Sequence, residues 1–140
     1  MISQLLRELF NKNIEIYIDK DKLKLRYEDG KIDPVLKEDI KDHKQVLIKR
    51  LKENYEAKEI GFCVYNHGDL YEYRYGFGSF LYIERLTNEK ASAWRTNYIP
   101  DSNKPYKQKI IANNVPFKRA FQDSLGFINW LKKQKKNKAG

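Results

Sequence analysis

Apolar positions recur along this chain with two different periods. The first 53 residues mix both periods, and from residue 60 onward the two-residue period dominates until a last helical stretch. Ile2, Leu5, Leu6, Leu9 and Phe10 fall on one side of a short helix. Ile14, Ile16 and Ile18, then Leu23, Leu25 and Tyr27, alternate with polar residues as two strands do, and Asp19-Lys20-Asp21-Lys22 between them predicts a hairpin turn. Asp33 is placed to cap a following helix, with Pro34 at the first helical position, where a missing N–H costs nothing. Leu36, Ile40, Val46, Leu47, Ile48 and Leu51 supply its apolar stripe. His43 and Lys44 interrupt that stripe, so two helices joined near Asp42 are expected. The segment between Lys52 and Glu59 has little apolar content and reads as a domain boundary, or as one further turn of the preceding helix.

Beyond it, Ile60 to Tyr65, Leu70 to Tyr75, Ser79 to Leu86, Ala91 to Ile99 and Lys107 to Ala112 predict four or five antiparallel strands. Asn66-His67-Gly68-Asp69 and Thr87-Asn88-Glu89-Lys90 supply turn chemistry, and Pro100 to Pro105 is a loop by composition. Phe117, Ala120, Phe121, Ser124, Leu125, Ile128 and Leu131 recur at helical spacing, which predicts a final helix over 115–133 lying across the sheet. Pro116 should sit in its first turn, Gly126 should mark a close approach to the sheet, and Lys132 to Lys138 should fray. The fold class expected is α+β: an αββαα module over 1–55, a small antiparallel sheet with a C-terminal helix over 60–134, and a basic tail over 135–140.

The order helix, hairpin, helix, helix, with Leu5, Leu9, Ile14, Ile16, Leu23, Leu25, Gly30, Ile32, Pro34, Leu36, His43-Lys44, Leu47 and Leu51, resembles the tubulysin-type N-terminal docking domain of nonribosomal peptide synthetases and hybrid polyketide lines. The resemblance covers residues 1–53. It implies a unit that receives the C-terminal tail of the preceding subunit and can dimerise. Two features depart from the family: the hairpin loop has Asp and Lys where Gly is frequent, and the remaining 85 or so residues are too few for a catalytic synthetase domain, since even one ordinary domain runs to ~100–200 residues.

Charge sharpens the division. Residues 1–55 hold 13 Lys/Arg against 11 Asp/Glu, whereas residues 56–140 hold 15 against 8. Most of the net charge of +9 therefore belongs to the second half, and favours acidic partners such as nucleic acid, acidic peptide tails or anionic membrane. One cysteine, Cys63, allows no internal disulfide and is expected in the core. No apolar run approaches the length of a membrane span and the start carries no signal-peptide core, so a cytoplasmic protein is expected.

Catalytic chemistry is nearly absent. His43 and His67 lie in different expected domains, and Cys63 and His67 lack an orienting third group or an oxyanion site. No Cys/His set has metal-ligand spacing. No cofactor and no enzymatic activity are expected. Two binding surfaces stand out instead. On the second strand Lys22, Lys24 and Arg26 share one face and Leu23, Leu25 and Tyr27 the other, so the edge is either defended by its cations or accepts an extended, acidic partner segment. In the second half, Tyr73, Arg74, Tyr75, Arg85, Trp94, Arg95 and Tyr98 interleave rings with cations, as sequence-tolerant single-strand binding requires, although a small sheet also uses aromatics simply to bury area. The Gly76-Phe77-Gly78-Ser79-Phe80 run approaches an RNA-recognition signature but fails in register and in the missing helix, and its glycines predict a bulge or bend. The first expectation for function is an adaptor that captures a partner segment through the N-terminal hairpin, and the alternative is a nucleic-acid-binding accessory protein.

Overall fold

The computed structural model describes residues 2–28, 30, 32–98 and 105–139, with side chains described outside 101–107 and 138–140. The chain forms two compact units, residues 1–68 and 69–140. The fold is α+β, and among the described residues no helix is long and apolar enough to cross a membrane.

In the first unit α1 (Ile2–Asn11) is followed by β1 (Glu15–Asp19) and β2 (Lys22–Arg26), then by α2 (Pro34–Asp42), α3 (Lys44–Ile60) and the short β3 (Cys63–Tyr65). β1 and β2 pair antiparallel, with Ile16 opposite Leu25 and Ile18 opposite Leu23, so both apolar rows lie on one face. The turn is the expected one, and Lys20 and Asp21 both take positive φ, 51° and 65°, as a two-residue hairpin loop matching the strand twist demands. α2 begins as its sequence dictates: Asp33 Oδ1 accepts the backbone N–H of Leu36 at 2.7 Å, and Pro34 occupies the first turn. It stops at Asp42, and His43 separates it from α3. Leu5, Leu6, Leu9, Ile14, Leu36, Ile40 and Leu47 form the core, with Ile16, Leu23 and Leu25 packed against it. Three expected core positions face out instead: Phe10 is 69% exposed, Val46 is 40% exposed, and Cys63 is exposed on its three-residue strand.

Lys52 to Glu59 is helix throughout. α3 passes through the expected boundary because its stripe continues at helical spacing through Arg50, Asn54 and Ala57, all buried. It ends at Gly61, whose φ of 121° reverses the chain.

In the second unit β4 (Leu70–Gly76), β5 (Ser79–Arg85), β6 (Lys90–Tyr98) and β7 (Pro105–Pro116) lie side by side in chain order, each antiparallel to the last. α4 (Phe117–Ala139) covers one face. The glycine-rich run is the bulge and turn expected: pairing shifts register between Arg74 and Gly76, and Gly78 takes φ +71° where a Cβ would stand 2.6 Å from the Tyr98 carbonyl oxygen. The bond from Tyr98 N–H to Gly78 O, 2.8 Å, closes that approach.

β7 is longer than the expected Lys107–Ala112, and α4 starts later than residue 115. Ser92 Oγ donates to Asn113 Oδ1 at 3.1 Å and accepts the Asn114 N–H at 3.0 Å, which holds the chain on β6 through a bulge until Pro116 pairs with Lys90. Phe117 N–H then donates to Glu89 O. Phe117, Ala120, Phe121, Ser124 and Ile128 are buried together with Tyr71, Leu81, Ile83, Ala91 and Ala93. Gly126 is exposed with open space where a Cβ would stand, so it marks no close approach to the sheet. Lys132 to Lys138, expected to fray, is helix: α4 continues to Ala139. The expected loop over 100–105 lies outside the described residues except Pro105, which opens β7.

Candidate functional sites

The hairpin places its charged row as its alternation requires. Lys22, Lys24 and Arg26 are exposed, whereas Leu23 and Leu25 are half-buried and Tyr27 is 40% exposed. The three cations are not equivalent. Arg26 Nη1 donates to Glu15 Oε2 at 3.1 Å and its guanidinium lies 5.3 Å from the centre of the Tyr17 ring, both across the strand pair. Among the described residues, Lys22 and Lys24 have no ion-pair partner. The turn is tied to α3 by Lys52 Nζ, which donates to Asp21 Oδ1 at 2.9 Å; that hydrogen bond, with the charge behind it, holds the Asp21 carboxyl below its ordinary pKa. Among the described residues the hairpin is a two-stranded sheet, and no third strand pairs with the outer edge of β1 or β2.

The two edges differ in surroundings. The β2 edge carries the lysine row. Along β1, Glu15 to Ile18 border a groove of about 940 Å³, walled by Phe10, Leu51, Tyr55, Lys58, Val64 and His67. This groove depends on a tie that hydrophobic patterning does not reveal. Arg50 is buried, and its Nη1 donates to Ser3 Oγ at 2.7 Å and to the His67 carbonyl at 3.2 Å, while Asn54 Nδ2 donates to the same carbonyl at 3.1 Å. Asn66 and His67 turn at positive φ, 50° and 57°, and the His67 ring rests 5.8 Å from Phe10. The signal was present as two polar residues, Arg50 and Asn54, spaced within a helical stripe: buried polar groups must be hydrogen-bonded, so each implies a partner brought from elsewhere in the chain.

In the second unit the seven expected aromatic and basic residues divide between the two faces of the sheet. Tyr73 and Arg85 lie on the face that α4 covers. So does Arg95, which is opposite Leu81. Tyr75, at the bulge, meets Phe127 of α4 edge-on at 5.3 Å. Arg85 is a packing residue: its guanidinium stands 4.0 Å from the Phe117 ring centre and Nη2 donates to the buried Tyr71 hydroxyl at 2.9 Å. Trp94 and Tyr98 point to the opposite face with Phe80 and Tyr82, where ring centres are 5.5 Å apart for Tyr82 and Trp94 and 6.0 Å for Phe80 and Tyr98. Arg74 shares that face, 5.8 Å from Phe80. Glu72 and Glu84 share it as well, Glu72 directly opposite Tyr82. Thr96 is buried among these rings.

A second ring cluster forms midway along α4. Phe127 stacks with Trp130 at 6.1 Å, and Arg95 lies over Phe127 at 4.6 Å. Phe127 and Trp130 were absent from the expected set because the helical spacing of their neighbours reads as a core stripe. Among the described residues no group of three or more His, Cys, Asp or Glu could hold a metal ion.

Residues 2–53 match the family model of the TubC N-terminal docking domain. No curated protein and no solved structure matches the chain.

Proposed function

From a chain whose residues 2–53 form a TubC-type docking domain, a fold that supports a protein–protein docking role, we infer that the protein is a non-catalytic adaptor. Its hairpin captures an extended partner segment as an added strand on the outer edge of β2, along Leu23 to Tyr27. The observation that carries this reading is the isolated two-stranded sheet. Its outer N–H and C=O groups lack a ladder partner, and a third strand satisfies them. Lys22 and Lys24, exposed and without an acidic partner among the described residues, favour an acidic segment, acting chiefly on the encounter rate and on rejection of basic competitors. Arg26 contributes less than its position suggests, because Glu15 already neutralises it.

The test is an amide-resolved titration of the full chain with an acidic peptide alternating Glu with Val. Perturbation of Leu23 to Tyr27 is expected, with affinity at least tenfold lower in a Lys22→Glu/Lys24→Glu variant, which leaves the apolar face untouched. Shifts confined to Ile14–Ile18 and His67 would place the added strand on β1 and its groove instead. Shifts confined to α2 and α3 would reject strand addition.

A second reading, nucleic-acid binding by the C-terminal unit, is favoured by charge. Residues 69–140 carry 14 Lys/Arg and 6 Asp/Glu, while residues 1–68 carry 14 and 13.

A further inference from the structure

We propose that single-stranded nucleic acid binds along the C-terminal half of α4, on the Phe127–Trp130 stack and the lysines that follow it, and not on the aromatic face across the sheet. The proposal rests on the second reading above and gives it a location.

The two ring clusters of this unit differ in the charge around them. Among the described residues, the face bearing Phe80, Tyr82, Trp94 and Tyr98 has two cations, Arg74 and Lys90, and two carboxylates, Glu72 and Glu84. Its rings are half-buried against one another. A phosphate chain laid there would meet no excess of positive charge among these groups. Along the C-terminal half of α4 the balance is positive. From Ser124 to Gly140 the sequence has no Asp or Glu and five lysines. Arg95, lying over Phe127, and Lys109, its exposed cross-strand neighbour, add two more cations on the same side of the sheet.

The rings are presented for use. Trp130 is 52% exposed, and it is held by the stack with Phe127, which Tyr75 in turn braces edge-on. A base stacking on Trp130 therefore meets a ring whose orientation is already set, which lowers the ordering cost of binding. Stacking is indifferent to base identity and lysine contacts go to phosphates, so binding should tolerate sequence. The helix beyond Leu131 has no apolar stripe: Lys132, Lys133, Lys135 and Lys136 are spread around it and all are exposed. Such a segment is not built to pack on the sheet, and it has too little apolar surface to lie in a lipid interface, where a helix needs a continuous buried face.

Two full-length single-tryptophan variants give the readout. Trp94→Phe leaves Trp130 as the reporter, and Trp130→Phe leaves Trp94. The probe is a twelve-residue oligothymidylate at low salt. Quenching of Trp130 is expected. The logarithm of affinity should fall with the logarithm of salt concentration at a slope of about −3, since each single-strand phosphate contact contributes roughly 0.7. Trp130→Ala should weaken binding roughly tenfold, and Lys133→Glu/Lys136→Glu should reduce the slope by about 1.4. Both substitutions are on exposed positions of a helix anchored elsewhere, and an unchanged circular dichroism spectrum is the check that it remains. Quenching of Trp94 with Trp130 silent would overturn the location while leaving nucleic-acid binding in place. No binding at low salt would overturn that reading as well. Equal binding to phosphatidylserine vesicles, with Trp130 shifted to the blue, would overturn the choice of partner.

Discussion

At the level of single residues, this chain makes tight turns without the glycines such turns prefer. Lys20-Asp21, Asn66-His67 and Asn88-Glu89 all take positive φ. For side chains other than Asn and Asp the left-handed conformation costs about 1–2 kcal/mol. Lys20 is exposed in its turn, and its side chain makes no hydrogen bond or ion pair among the described residues that a glycine would lose. Lys20→Gly should therefore raise stability by about 0.5–1 kcal/mol after the added entropy of the unfolded chain is allowed for, read as a higher denaturation midpoint at unchanged slope. The hairpin was legible despite its unusual loop because the alternation of Ile14 to Ile18 and Leu23 to Tyr27 sets the register, and the loop only has to comply. Cys63 shows the opposite case. A small apolar side chain has a strong tendency to be buried, but a three-residue strand with one side turned outward leaves it exposed.

At the level of elements, α3 shows how a polar pair can extend a helix past an apparent boundary. Composition between Lys52 and Glu59 signals a linker because it lacks apolar residues. Asn54 and Ala57 are buried there all the same, and Asn54 joins Arg50 in holding the 66–68 turn through one carbonyl. Replacing Arg50 with Met keeps most of the apolar stem and removes the donors. A loss of about 1–3 kcal/mol is expected, with faster amide exchange at His67 and Gly68 than in Ile14 to Ile18. Uniform exchange across the first unit would mean that Arg50 serves only as packing. α4 is the converse. Its buried stripe, Phe117 to Ile128, was legible from period alone, whereas its start was displaced by Ser92 and the bulge at Asn113–Asn114, a side-chain contact between residues more than 20 apart.

At the level of the molecule, each unit has its own buried set, one centred on Leu9 and Leu47 and the other on Tyr71, Leu81 and Ile83. Leu9 and Leu81 are both fully buried, so Leu9→Ala and Leu81→Ala should each cost about 2–5 kcal/mol, measured by denaturant midpoints. Local pattern was enough for the order of most elements, the hairpin register, the α2–α3 break, the resemblance over the first 53 residues and the excess of charge in the second half. All of these follow from period, caps and counting, which act over a few residues or over none. Only the tertiary structure decided which cations are free. Arg26 and Arg85 are engaged by Glu15 and by Phe117 and Tyr71, while Lys22, Lys24, Lys132, Lys133, Lys135 and Lys136 remain open to solvent. The division of the rings over two sheet faces was decided there too, because a side chain's face follows from strand parity, bulges and the helix laid on the sheet, and these are settled by packing between distant segments.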